Sequence, residues 1–280
     1  VIGFVGVRLV GRGRRAVVLA LLLVWVALAT FLPELPGMRD PWLEAAALPA
    51  WSAWGLLRLS WWIVVFAVLR GGGLAPADVG WQRGALLRAG VAAVGLCGLG
   101  WLVLQGLEHW FLPSSHRDVF AVGAGVVLGE LFGVALVEET ICRGFLLLQL
   151  VVGAERRGVA PAAARLLALA WSTAFFVLCH VPALVAGGAG GAEAAPDWLR
   201  TVAVGGVLLG WVFLRTGNLW WCVVAHTFVN VADLAMAGSW FRGWPVAPCL
   251  VVVVTWLGWR WLQPPTALSD LPSAASLRSD

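Results

Sequence analysis

Apolar residues gather in eight long blocks, at about 16–32, 51–69, 89–107, 119–152, 163–183, 199–214, 217–237 and 247–263. A helix needs about 20 apolar residues to cross a hydrocarbon core, and only helices or closed barrels satisfy their own backbone there. The pattern predicts an all-α, polytopic membrane helix bundle with about eight transmembrane helices. Polar punctuation separates the blocks. P-E-L-P-G-M-R-D-P-W-L-E is a proline-broken connection between the first two. The stretch from Leu184 to Trp198, L-V-A-G-G-A-G-G-A-E-A-A-P-D-W, reads as a flexible glycine-rich loop. The run from Ala16 to Leu32 carries no A-x-A cleavage site and reads as an uncleaved first span. The Ser-, Pro- and Ala-rich tail from Pro264 to Asp280 is expected to be disordered.

Composition agrees with the blocks. Of 280 residues, 61% are hydrophobic and only 12% charged, and the mean hydropathy is +0.88. Soluble domains carry about 25% charged residues, so a soluble globular class is excluded. Lysine and tyrosine are absent and all nineteen basic residues are arginine, a bias that fits a GC-rich, bacterial coding sequence. The basic balance does not signal nucleic acid, because the arginines are scattered in short connections beside the spans, where positive-inside bias and anionic lipid account for them. Arg8, Arg12, Arg14 and Arg15 precede the first span, and Arg70, Arg83 and Arg88 lie between the second and third. Arg156 and Arg157 follow the fourth span, Arg215 the sixth and Arg260 the eighth. With alternating helices these share one side, predicted to be cytoplasmic, with Arg39, Arg117 and Arg242 as exceptions on the other. Localisation in a bacterial inner membrane follows. Trp61, Trp62, Trp220, Trp221, Trp240, Trp244, Trp256, Trp259 and Trp261 lie near predicted helix ends and read as interfacial anchors. The five cysteines lack C-x-x-C spacing, and most read as small buried hydrophobes rather than a disulfide framework.

Against this background three polar sets inside apolar blocks stand out. The first is V-A-L-V-E-E-T-I-C-R-G-F-L-L-L, with Glu138, Glu139 and Arg143. A carboxylate at the bilayer centre costs about 2.5–3.5 kcal/mol on the most lenient scale. Residues four apart share a helix face, so Glu139 can meet Arg143 while Glu138 points elsewhere, free for use as a general base. A plain Glu–Arg staple in a polar bundle core is the bland reading. The second set is Phe176 and His180, one turn apart, followed by Pro182, which could end or kink the helix. The third is His226 and Asn230, again one turn apart, both hydrogen-bonding side chains that could equally serve as interhelical glue. Counted along ideal helices, Glu138 lies about 27 Å from Arg156, His180 about 22 Å from Arg165, and His226 about 16 Å from Arg215. All three depths fall within the bilayer, so the sets can meet in one buried site. Glu130, eight residues before Glu138 and about 12 Å away, reads as a cavity-wall residue or as glue.

The ordered motifs E-E-x-x-x-R, F-x-x-x-H and H-x-x-x-N, on three separate apolar blocks, resemble those of the CPBP family of intramembrane glutamic endopeptidases, related to the type II CAAX prenyl endopeptidase and to bacteriocin-processing or immunity proteins. The resemblance divides the chain into amino-terminal spans at 1–118, a CPBP-like catalytic core at 119–237, a last span at 238–263 and the tail at 264–280. It implies that Glu138 activates a water with help from His180. His226 and Asn230 would then stabilise an oxyanion, with Glu139, Arg143 and Phe176 in support. No cofactor and no metal are expected. The expected partners are a membrane protein or peptide substrate and the lipid bilayer, with no nucleic acid.

Rival readings stay open. Glu138, His180 and His226 could form a His-His-Glu zinc set with one open position. The chain lacks H-E-x-x-H, however, and Arg143 beside the carboxylates disfavours a cation. Cys179 next to His180 offers a Cys–His pair, but helix neighbours point about 100° apart. A proton-coupled transporter uses similar intramembrane groups, though no inverted repeat is visible. A non-catalytic immunity or scaffold protein would keep the fold without the chemistry. The leading expectation is an endopeptidase that processes a C-terminal or sorting segment.

Overall fold

A computed structural model describes residues 62–111 (except 64, 68 and 72), 127–185, 195–235 and 246–263. The first span, most of the second, the proline-broken connection, Arg39, Arg117, Arg242 and the tail lie outside the described residues. Every described element is helical or a turn, and the chain is an all-α membrane helix bundle. After helical residues at 62–63, 65–67 and 69–71 comes a short 3-10 turn, Pro76–Val79, and then α1 (Arg83–Phe111). The next helix, α2, runs continuously through Gly129–Ala135, Leu136–Glu139, Thr140–Leu147 and Leu148–Glu155. It is followed by α3 (Pro161–Val185), α4 (Ala195–Thr216), α5 (Leu219–Ala235) and α6 (Val246–Leu262). Each predicted block from 89–107 onward is therefore met by a helix. Arg83–Val103, Pro161–Val181 and Pro196–Thr216 are long and apolar enough to cross a membrane, and Leu219–Ala232 and Val246–Leu262 are shorter apolar helices.

Local signals explain the boundaries. Pro161 opens α3, where its missing N–H costs nothing. In α4, Asp197 in the first turn and Arg215 in the last complement the helix dipole. With Asp197 in its first turn, α4 takes in residues 195–198, so the loop expected over 184–198 is shorter at that end. Pro182 neither ends nor breaks α3, which continues to Val185. Gly217, at φ 65°, supplies the left-handed residue that reverses the chain between α4 and α5.

Helix α3 packs on α4 and on the carboxyl-terminal part of α2, whereas α5 packs on α1, on α4 and on the amino-terminal part of α2. Helix α6 closes the bundle against α1 and α4. The Glu138–Glu139 segment of α2 thus lies between α3 and α5. The 3-10 turn meets α2 at Gly144, where an added Cβ would stand 2.5 Å from the Val79 carbonyl oxygen. Only glycine permits that approach.

One end of the bundle is tied by polar contacts. Asn218, fully buried, donates to the Ala85 carbonyl at 3.1 Å and the Leu262 carbonyl at 2.8 Å, while its Oδ1 accepts the Trp221 N–H as the α5 cap. Arg88 donates to the Trp261 carbonyl at 2.8 Å, and Arg215 lies over the Trp259 ring at 4.3 Å. Arg88, Arg215 and Arg260 therefore gather at the same end. Trp256 and Trp261 are exposed, as interfacial anchors should be. Trp221 corrects that expectation: it is fully buried and donates to Thr255 Oγ1 at 2.8 Å. The outward positions are apolar, among them Leu87, Val94, Leu166 and Leu257, each about 70% exposed. Such a surface suits hydrocarbon rather than water.

Candidate active site

Helix α2 departs from α geometry on both sides of the glutamate pair. Gly129–Ala135 and Thr140–Leu147 are π-helical, and the Leu136 N–H bonds the Leu131 carbonyl, five residues back. Widened turns of this kind re-aim side chains and concentrate at functional sites. Between them, Glu139 is fully buried and Glu138 keeps 26% of its side chain exposed. The pair is split as the spacing predicts. Arg143 Nη1 donates to Glu139 Oε1 at 2.9 Å, and its second nitrogen donates to the Gly206 carbonyl of α4 at 3.2 Å. The guanidinium also lies 4.5 Å above the Phe176 ring, a favourable cation–π position.

Glu139 has a second partner that helical spacing could not reveal. Its Oε1 accepts from His226 Nδ1 of α5 at 2.8 Å. On α3, His180 Nδ1 donates to the Phe176 carbonyl at 2.8 Å, and the two rings lie 4.5 Å apart. A carbonyl and a carboxylate both accept, so each imidazole carries its proton on Nδ1 in these bonds. Each then turns Nε2 toward the same atom: Glu138 Oε2 stands 3.9 Å from His180 Nε2 and 3.9 Å from His226 Nε2. That oxygen is buried and has no hydrogen-bond partner within the protein. The two imidazoles and the carboxylate converge without touching. Phe176, buried beneath them, contacts His180, His226 and Arg143.

Asn230 is placed differently from the other three. It lies one turn beyond His226, and its Nδ2 donates to Glu130 Oε2 at 3.1 Å. Helix α4 contributes Trp198, whose ring lies 5.7 Å from His180, and the Gly206 carbonyl. Neither was singled out from the sequence, because no local pattern links α4 to α2 or α3. Among the described residues no group of three His, Cys, Asp or Glu side chains is arranged to hold a metal ion. Cys142 and Cys222 are buried, Cys97 and Cys249 exposed, and all five cysteines are free thiols.

Fold and cluster together define a polytopic integral membrane protein with a partly open polar centre held between three helices. Residues 120–232, the stretch that holds every residue of that centre, match the model of the family described as Type II CAAX prenyl endopeptidase Rce1-like. The resemblance carried by the three motifs is thereby borne out, and the matched segment is similar at family level to CAAX- or CPBP-type membrane proteases. No curated protein and no solved structure matches the chain.

Proposed function

We propose that the chain is an intramembrane endopeptidase that hydrolyses a peptide bond in a membrane-associated protein or peptide with a glutamate-activated water. The observation that carries this reading is the convergence of His180 Nε2 and His226 Nε2 on Glu138 Oε2, each at 3.9 Å. That separation is too long for a direct hydrogen bond but admits a water oxygen at the usual ~2.8 Å from both groups. Such a water can donate one hydrogen to the carboxylate and the other to an imidazole, whose Nε2 is the accepting nitrogen. As its oxygen attacks the scissile carbonyl carbon, Glu138 takes a proton; when the C–N bond breaks, that proton passes to the departing amine. The products are a carboxyl group and a free amine.

His226, with the Glu139 carboxylate behind its Nδ1, is suited to accept a proton and donate it from Nε2 to the developing oxyanion. Asn230 supplies the second donor from the same face of α5. Glu139, Arg143 and Phe176 hold the imidazoles in place. Residues 119–237 form the catalytic core in this reading. The arginine-only composition and the apolar outer surface favour a bacterial inner-membrane enzyme, and the similarity to CAAX prenyl endopeptidases favours processing of a C-terminal or sorting segment.

The test uses purified protein in liposomes with a panel of membrane-anchored peptides, and follows cleavage by mass spectrometry. Glu138→Gln and Glu138→Ala should both abolish cleavage while leaving thermal stability close to that of the parent. Undiminished cleavage by Glu138→Ala would end the proposal. Elemental analysis of the same preparation, with activity assayed after chelation, distinguishes the zinc version. Stoichiometric zinc together with chelator-sensitive cleavage would replace the metal-free mechanism.

A further inference from the structure

Glu130 has no place in the three motifs, yet it lies in the apolar stretch L-G-E-L-F-G-V-A-L-V, where a carboxylate is costly without a function or partner. One partner is Asn230, whose Nδ2 donates to Glu130 Oε2 at 3.1 Å. The contact is one of a series that joins α2 to α5 in antiparallel order. Glu130 meets Asn230, Glu139 meets His226, and Gly144 lies against Leu219. Glu130 sits in the first turn of the π-helical segment Gly129–Ala135, so the widened turn sets the direction of its side chain.

The chemistry of the contact is directional. The two ends of an asparagine amide are nearly identical in shape, and only hydrogen-bond partners decide which end faces where. The amide nitrogen can only donate, and the Glu130 oxygen that faces it accepts, so Glu130 holds the nitrogen toward itself and fixes the orientation of the whole group. One N–H is consumed in that bond and the other remains available from the same nitrogen. Without the carboxylate the amide can rotate and present its carbonyl oxygen to a developing negative charge, which would repel it.

We infer that Glu130 is a positioning residue for Asn230, locking the amide so that it faces the oxyanion as a donor. This rests on the endopeptidase reading above. The test uses the peptide whose cleavage Glu138→Ala abolishes, and compares Glu130→Met, Glu130→Gln, Asn230→Ala and the Glu130→Met/Asn230→Ala double variant in the full chain. Methionine fills the volume without accepting a hydrogen bond, whereas glutamine keeps an acceptor oxygen. Loss of one oxyanion donor costs about 10²–10³ in kcat, and Asn230→Ala should fall in that range. Glu130→Met should lower kcat about ten- to a hundredfold at nearly unchanged KM, glutamine should restore most of that loss, and the double variant should be no slower than Asn230→Ala alone.

Multiplicative losses in the double variant would overturn the inference, because they would show that Glu130 acts independently of Asn230. A rise in KM alone would also overturn it, as would equal impairment by methionine and glutamine. Full activity of Asn230→Ala beside an inactive Glu138→Ala would remove this inference and leave the protease reading intact. Cleavage by Glu138→Ala would remove both. Thermal unfolding separates folding from chemistry: if Glu130→Met melts well below Asn230→Ala, Glu130 is a structural tie and the inference falls.

Discussion

Arg143→Met is the most informative single change outside the groups that face the peptide bond. It removes the guanidinium from a pair whose side chains are 1% and 0% exposed, with a 2.9 Å contact between them. The Glu139 carboxylate would remain in the bundle with only the His226 imidazole against it, and the Gly206 carbonyl would lose its donor. Breaking a buried pair by deleting one partner costs about 3–5 kcal/mol, whereas replacing both partners with groups of similar shape is often neutral. Arg143→Met and Glu139→Gln should therefore each destabilise by about that amount, because each leaves one charge uncompensated. The Glu139→Gln/Arg143→Met double variant should return to within about 1–2 kcal/mol of the parent. Its activity should not return, since an uncharged glutamine still accepts from His226 Nδ1 but no longer supports a positive imidazolium; kcat should stay down by about 10²-fold, the scale of an acid–base contribution. Denaturant unfolding in detergent, followed by tryptophan fluorescence, gives the stabilities, and peptide cleavage gives the rates. A loss below about 1 kcal/mol in Arg143→Met, or simple additivity in the double variant, would refute the argument, because either would mean the pair is not energetically buried.

Five further changes probe how the site is carried. Gly144→Ala should be poorly folded, since its Cβ would stand 2.5 Å from a backbone oxygen at Val79. Gly90→Ala, with nothing within 4 Å, should instead gain about 0.5–1 kcal/mol in the same unfolding assay. Asn218→Ala removes the α5 cap and the donors to the Ala85 and Leu262 carbonyls, and should cost about 2–4 kcal/mol from lost capping and unpaired carbonyls without changing KM. Thr255→Val strands the buried Trp221 indole N–H and should cost about 1–3 kcal/mol, whereas Trp256→Phe, on the exposed face, should be near neutral.

The sequence by itself determined the helices from 89–107 onward and the contacts that lie along one helix. Glu139 with Arg143 and Phe176 with His180 are pairs at i and i+4, and 3.6 residues per turn fixes them wherever the helix forms. The start signal at Asp197 was also present in the chain, although the glycines before it obscured it. Only the tertiary structure decided what crosses between helices: His226 against Glu139, Asn230 against Glu130, Arg143 against Gly206, and Trp198 beside His180. It also decided that Trp221 faces the interior while Trp256 faces outward. The reason is the solvent. In water, an apolar stripe marks the buried side of a helix, but in a bilayer both the lipid and the interior are apolar, so hydropathy does not say which face turns inward. What settles it is close packing at small residues such as Gly144 and Gly206, together with the cost of leaving a buried polar group without a partner.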